Sequence, residues 1–244
     1  MTRVPEIATN ETYHIYNSGV DGRKIFLSES DFLLFYEYLY LFNDVNYTHH
    51  KWGKIARLSE IQTMQATGYD VRDPLVDIIA FNLMDTHFHL MMTQRYDDGI
   101  SRFLHILQKS YARVTNEKYD RRGSLFNRPF QSSHINNAAY FEFLPIYIHG
   151  NGMDCFGLPW REGQVQDWDE ALRLMERRKY SSHHLVMGKP QELPVVTSTY
   201  LEDTYPNKED YIKHLKEWST RHEDQLKEYE AQFSNDVTIN PYKH

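Results

Sequence analysis

Cysteine is nearly missing from this chain: Cys155 is the only one in 244 residues. No internal disulfide can form, and such usage fits a reducing compartment. Long apolar runs are missing as well. The most apolar stretch, Phe32 to Phe42, is 11 residues long and interrupted by Glu37, too short to span a bilayer. The opening Met-Thr-Arg-Val-Pro-Glu lacks the apolar centre of a signal peptide. There is no internal repeat and no low-complexity tract. These absences point to a cytoplasmic protein with no membrane partner. What remains, 41% hydrophobic and 25% charged residues, is the composition of a soluble globular protein. The length suits one domain, or one domain with an extension, and suffices for a sizeable core.

Basic residues are outnumbered, for a net charge of −7. That balance argues against nucleic acid as a partner, but its distribution argues the other way. Between Ser101 and Gln131 stand Arg102, Lys109, Arg113, Lys118, Arg121, Arg122 and Arg128 against Glu117 and Asp120, a local net of +5. From Glu202 to Asp236 ten acids face five bases. A basic middle and an acidic tail fit an anionic ligand at the middle; a solvated helix face explains the charge equally well.

Thr12 to Asn17 is aromatic and β-branched, and Ser18-Gly19 closes it, so it reads as a strand. Ser28 or Ser30 could cap a helix from Asp31 to Phe42. Residues 43–76 give no clear pattern beyond a helical stretch around Leu58–Ala66, and Asp73-Pro74 marks a boundary. Ile78 to Met92 reads as a central strand. Phe103, Leu104, Leu107, Tyr111 and Val114 carry helical spacing within Ile100–Tyr119. A loop and then a strand follow over 124–131. A helix is expected from Ala138 to about His149, weakened at its end by Gly150 and Gly152, and another over Asp167–Arg178. Pro190 and Pro194 bracket a linker, and Glu209–Phe233 looks helical, charged and exposed. Strands with helices between them predict an α+β sandwich, an antiparallel sheet with helices packed on it.

The central stretch contains His87-Phe88-His89. Alternate residues of a strand share a face, so the two imidazoles would project together and Phe88 the other way. Paired neutral imidazoles suit a divalent metal, although His-x-His also arises by chance at strand ends. In the later helix Tyr147 and Asn151 stand at i and i+4 on one face. If that face meets the histidines, Asn151 could supply a third, oxygen ligand and Tyr147 a nucleophile. A core tyrosine is the plainer reading. Tyr111, in the apolar stripe, is the rival. His14, His49, His50, His183 and His184 have no spacing argument. Trp160 and Trp168 could stack on unpaired bases or pack.

Four ordered stretches make a resemblance specific. They are Thr12-Tyr13-His14-Ile15-Tyr16-Asn17-Ser18-Gly19-Val20, Leu83-Met84-Asp85-Thr86-His87-Phe88-His89-Leu90, Gly123-Ser124-Leu125-Phe126-Asn127-Arg128-Pro129-Phe130 and Tyr147-Ile148-His149-Gly150-Asn151. Together they resemble the single-tyrosine HUH transposases, the IS200-like group, and within it the REP-associated tyrosine transposase branch. The resemblance covers roughly residues 12–188. The family commonly has Pro-Asn where this chain has Asp85-Thr86, and Leu-Asn-Pro where it has Gly150-Asn151-Gly152. Those glycines should loosen the helix end, at roughly 1 kcal/mol each.

The resemblance implies a ferredoxin-like sheet in a transposase-like domain over residues 1–190; residues 191–244, outside the resemblance, read as a charged, mostly helical extension. The resemblance also implies His87, His89 and Asn151 as ligands of Mg²⁺ or Mn²⁺, and Tyr147 as nucleophile toward single-stranded or hairpin DNA through a 5′-phosphotyrosine. Lys109, Arg113, Arg121, Arg122 and Arg128 would hold the DNA backbone, and the protein would act as a monomer or homodimer. Two other readings stay open: a domesticated hairpin-DNA-binding protein with weak or no cleavage, and an unrelated hydrolase using the histidine pair with water.

Overall fold

The computed structural model describes residues 7–47, 63, 66, 72–127 and 129–221. Strand β1 (Thr12–Ser18) is followed by a short 3₁₀ turn at Val20–Gly22 and by helix α1 (Glu29–Leu41). Ser28 caps α1 in a capping box: Asp31 Oδ2 accepts from the Ser28 N–H at 2.9 Å. Strands β2 (Val76–Met84) and β3 (His87–Gln94) come next, then helix α2 (Gly99–Lys118) and strand β4 (Gln131–His134). Of the expected helix at Leu58–Ala66, all but isolated positions lie outside the described residues.

The expected single strand over 78–92 is a hairpin. Asp85-Thr86 turns the chain, and neighbouring backbone holds the turn: Asp85 O accepts from Ile25 N at 2.8 Å, and Thr86 O from Gly19 N at 2.9 Å. The sheet order is β2-β3-β1-β4, all antiparallel. With the element order βαββαβ this is the ferredoxin-like arrangement, as expected.

The hairpin alternates its side chains between two layers. Phe88, Leu90 and Ile15 face α1 and α2, where Phe35, Phe103, Leu107 and Tyr111 complete one core. Tyr111 is fully buried there, and its hydroxyl donates to Ile25 O at 2.7 Å. The other face is covered by α3 (Ala138–Asp154), α4 (Trp168–Glu176) and α7 (Lys208–Arg221), with short helices α5 (His183–Val186) and α6 (Tyr200–Thr204) beside them. Asn137 caps α3, its side chain accepting from Tyr140 N at 2.8 Å. Among the described residues no helix is long and apolar enough to cross a membrane.

Two expectations change. Helix α3 does not fade at His149; it runs through Gly150 and Gly152 to Asp154. The reason is tertiary. Trp160 is fully buried against Gly150, and a Cβ placed on Gly150 would stand 2.7 Å from Trp160 Cη2. The indole ring fills the gap that the missing side chain leaves, and this packing outweighs helix propensity. The helix expected over 209–233 is described as far as Arg221 and is not wholly exposed. Tyr211, Leu215 and Trp218 form a buried stripe against α3, with the Trp218 and Phe143 rings 4.6 Å apart.

The outer edge of β2 is covered by later chain. Leu83 N donates to Tyr180 O at 3.0 Å, Ser182 N to Phe81 O at 2.9 Å and Thr197 N to Ile78 O at 3.0 Å. The free backbone groups of an edge strand are satisfied in this way.

Candidate active site

The site forms where α3 crosses the His-x-His end of β3. Ser18 faces His87 and Tyr16 faces His89 across the β1–β3 ladder. Both imidazoles emerge on the α3 side, with ring centroids 5.1 Å apart, and both are buried. The Tyr147 ring stands edge-on to His89 at 5.9 Å and to His14 at 6.1 Å. Asn151, one turn along α3, is fully buried. The structure therefore gathers His87, His89, Tyr147 and Asn151 on one side of the sheet, while Tyr111 lies in the opposite layer.

Each histidine has its Nδ1 engaged. Thr86 Oγ1 is 2.8 Å from His87 Nδ1, and His14 Nε2 is 2.9 Å from His89 Nδ1. Outer partners of this kind fix ring orientation and tautomer, and Nε2 is then the nitrogen that could take a metal. Burial lowers the pKa of His87 to about 4, with further depression from Arg161 and Arg178. Burial also takes His89 well below its usual value and His14 down to about 3. The imidazoles are thus neutral at physiological pH, the form that binds a metal. His14 was not identifiable from spacing because it arrives from a different strand.

Two arginines that sequence reasoning passed over frame the site. Arg161 donates from Nη1 to Asp154 Oδ1 at 2.6 Å and from Nη2 to Asn151 Oδ1, with its guanidinium carbon 5.6 Å from the Tyr147 ring centre. Arg178 donates from Nη2 to Leu83 O at 3.0 Å, beside Asp85 of the hairpin turn. Two of the candidate metal ligands, His87 and His89, suit a cation well. The Asn151 oxygen is shared with Arg161, and among the described residues no three His, Cys, Asp or Glu side chains converge on a possible ion position.

The predicted DNA-binding residues separate into two groups. Lys109 and Arg113 are exposed on the outer face of α2, with the sheet between them and Tyr147. Arg121 and Arg122 follow the end of α2, which returns to the hairpin end of the sheet: Lys118 Nζ reaches Asp31 at 2.6 Å at the start of α1. The chain after them runs beside β1, where Asn127 N donates to Ser18 O at 2.9 Å. Arg121 and Arg122 therefore lie at the same end of the sheet as His87. Arg128, His49 and His50 lie outside the described residues. Trp160 packs in the core, and Trp168 lies under Lys216 Nζ at 5.6 Å. His183 is buried at Tyr211 and His184 Nε2 is 3.0 Å from Arg178 O, both away from the pair.

Residues 59–151 match the family model described as "Transposase IS200 like". No curated protein matches the chain by sequence. A solved structure described as "Structure of the REP associates tyrosine transposase bound to a REP hairpin" aligns with a TM-score of 0.47 at 14% identity, over 81% of this chain and 90% of that one. The matched segment carries His87, His89, Tyr147 and Asn151.

Proposed function

We propose that the protein is a transposase of the REP-associated kind that cuts and rejoins single-stranded or hairpin DNA through Tyr147. The observation that carries this reading is the meeting of His87, His89 and Tyr147 on one sheet face, within the segment that matches the family. In the cleavage step Tyr147 Oη forms a bond to the scissile phosphorus as the P–O3′ bond breaks. The phenolic proton passes to water and the departing 3′ oxygen takes one up. The product, a 5′-phosphotyrosine and a free 3′-OH, keeps the phosphodiester energy, so reversal by another 3′-OH rejoins DNA without ATP.

Mg²⁺ or Mn²⁺ held by His87, His89 and Asn151 would polarise the phosphate and offset its developing charge. The protein's part is to keep both imidazoles neutral and oriented through Thr86 and His14, and to hold Tyr147 against them from α3. Arg121 and Arg122 supply phosphate contacts at the same end of the sheet. The hold of Arg161 on Asn151 favours a second reading, a hairpin-binding protein that cuts poorly.

One experiment separates the two. The chain is incubated with a panel of hairpin-bearing single strands and Mg²⁺ or Mn²⁺, and a denaturing gel is read for a covalent adduct. Tyr147→Phe should bind hairpins as before and form no adduct. Tyr111→Phe should keep cleavage but lower stability by about 1–3 kcal/mol, because Ile25 O loses its buried donor. An adduct from Tyr147→Phe would move the nucleophile elsewhere; none from the unaltered chain would favour the binding protein.

A further inference from the structure

Arg161 has the position of a reacting group and has no role in the chemistry so far. It lies on the irregular segment after α3, which the core anchors firmly. Trp160 is buried against Gly150, its Nε1 donates to Asp154 Oδ1 at 3.0 Å, and its carbonyl accepts from the Ser219 hydroxyl of α7. The next residue is thereby aimed inward. Its guanidinium is mostly buried and meets Asp154, Asn151 and the rings of Tyr147 and Trp160. It is also near enough to both histidines to lower their proton affinity.

A guanidinium so placed presents a fixed fork of donors, the geometry that matches a phosphate. Its partners include one carboxylate and one amide oxygen, and the amide is the oxygen a cation would need. Asp154 already offsets part of the Arg161 charge, but the guanidinium and a divalent cation compete for the Asn151 oxygen as long as no second anion lies between them. A phosphodiester at Tyr147 would be that anion.

We propose that Arg161 is a catalytic residue of this site: its guanidinium takes the scissile phosphate beside Tyr147 and in doing so yields Asn151 to a divalent cation. This rests on the cleavage reading given above. It adds the group that receives the phosphate and a reason for cation and DNA to bind together.

The test compares the full chain with Arg161→Gln, Arg161→Lys and the double variant Arg161→Gln/Asp154→Asn, which avoids leaving a buried carboxylate unpaired. Adduct formation is measured on a hairpin strand with either a normal scissile phosphate or an uncharged methylphosphonate. Mn²⁺ binding without DNA is followed by electron paramagnetic resonance. Loss of the guanidinium should slow adduct formation on the charged strand by about 100-fold, as for other transition-state donors, and on the methylphosphonate by much less. Arg161→Lys should fall between, and Arg161→Gln should bind Mn²⁺ alone more tightly than the unaltered chain. Equal losses on both strands, or no loss on either, overturn the proposal. If the unaltered chain forms no adduct, the cleavage reading fails; tighter Mn²⁺ binding by Arg161→Gln then still supports the competition for Asn151, and unchanged or weaker binding overturns it.

Discussion

His14 Nε2 lies 2.9 Å from His89 Nδ1, a diagonal contact across adjacent strands in which His14 itself faces Met91. The contact commits His89 to one orientation, with Nε2 as its available ligand atom. His14→Leu keeps the bulk and removes the partner. Losing such an outer partner costs roughly 10- to 100-fold in metal affinity. Mn²⁺ titration followed by electron paramagnetic resonance should show a loss of that order in His14→Leu. Affinity within twofold of the unaltered chain would mean that His89 is oriented without His14.

Gly150→Ala should destabilise the protein although alanine is the better helix former by about 1 kcal/mol. The added Cβ would press on the Trp160 ring at 2.7–2.8 Å, and overpacking of this kind costs about 1–3 kcal/mol. Urea unfolding would measure it. Combined with Trp160→Phe, the two losses should fall short of additive, because the smaller ring makes room. Full additivity would separate Gly150 from Trp160.

Acid should weaken the fold well before the carboxylates titrate. His14, His87, His89, His149 and His183 are buried, and burial lowers the pKa of each, to about 3 for His14 and His149 and about 4 for His87. The unfolded chain takes up their protons near pH 6.5. The stability is therefore complete above pH 6.5 and is lost as pH falls toward the folded values. Each site contributes a slope of up to about 1.4 kcal/mol per pH unit over that window. Denaturant unfolding at pH 7, 6 and 5 should show a steep decline. A flat profile would mean that these imidazoles accept protons within the fold.

Arg121→Ala/Arg122→Ala should weaken hairpin binding to a similar degree for every sequence. The log–log salt slope should fall by about one for each phosphate that the variant no longer neutralises. Lys109→Ala/Arg113→Ala should do less, since those side chains project from the layer behind the sheet. Fluorescence anisotropy across salt concentrations measures both. The reverse ranking would route the DNA over α2.

Local pattern made the scaffold legible. The alternation of Thr12–Asn17, the Ser28 cap and the 103/104/107/111 stripe each became the expected element, and the i, i+2 and i, i+4 spacings match the gathering of His87, His89, Tyr147 and Asn151 on one side of the sheet. The hairpin at Asp85-Thr86 was hidden because that pair lacks the usual Asn-Gly or Asp-Gly turn signal; its hold comes from Ile25 and Gly19, far off in sequence. The full length of α3 was hidden because Trp160, ten residues beyond Gly150, is what makes glycine fit there. Arg161 was hidden for the same reason. It sits on irregular chain without periodicity, and only folding brings it onto Tyr147.

The covering of β2 by residues 180–182 and 197 also limits how this sheet can grow. One border is already closed by the chain itself. Among the described residues the other is β4, four residues from Gln131 to His134. Among the described residues, that short border is the one left open to an assembly built by laying one molecule's strand beside another's. A sheet continued through two molecules would therefore have to meet β4 to β4, and the pairing would be brief.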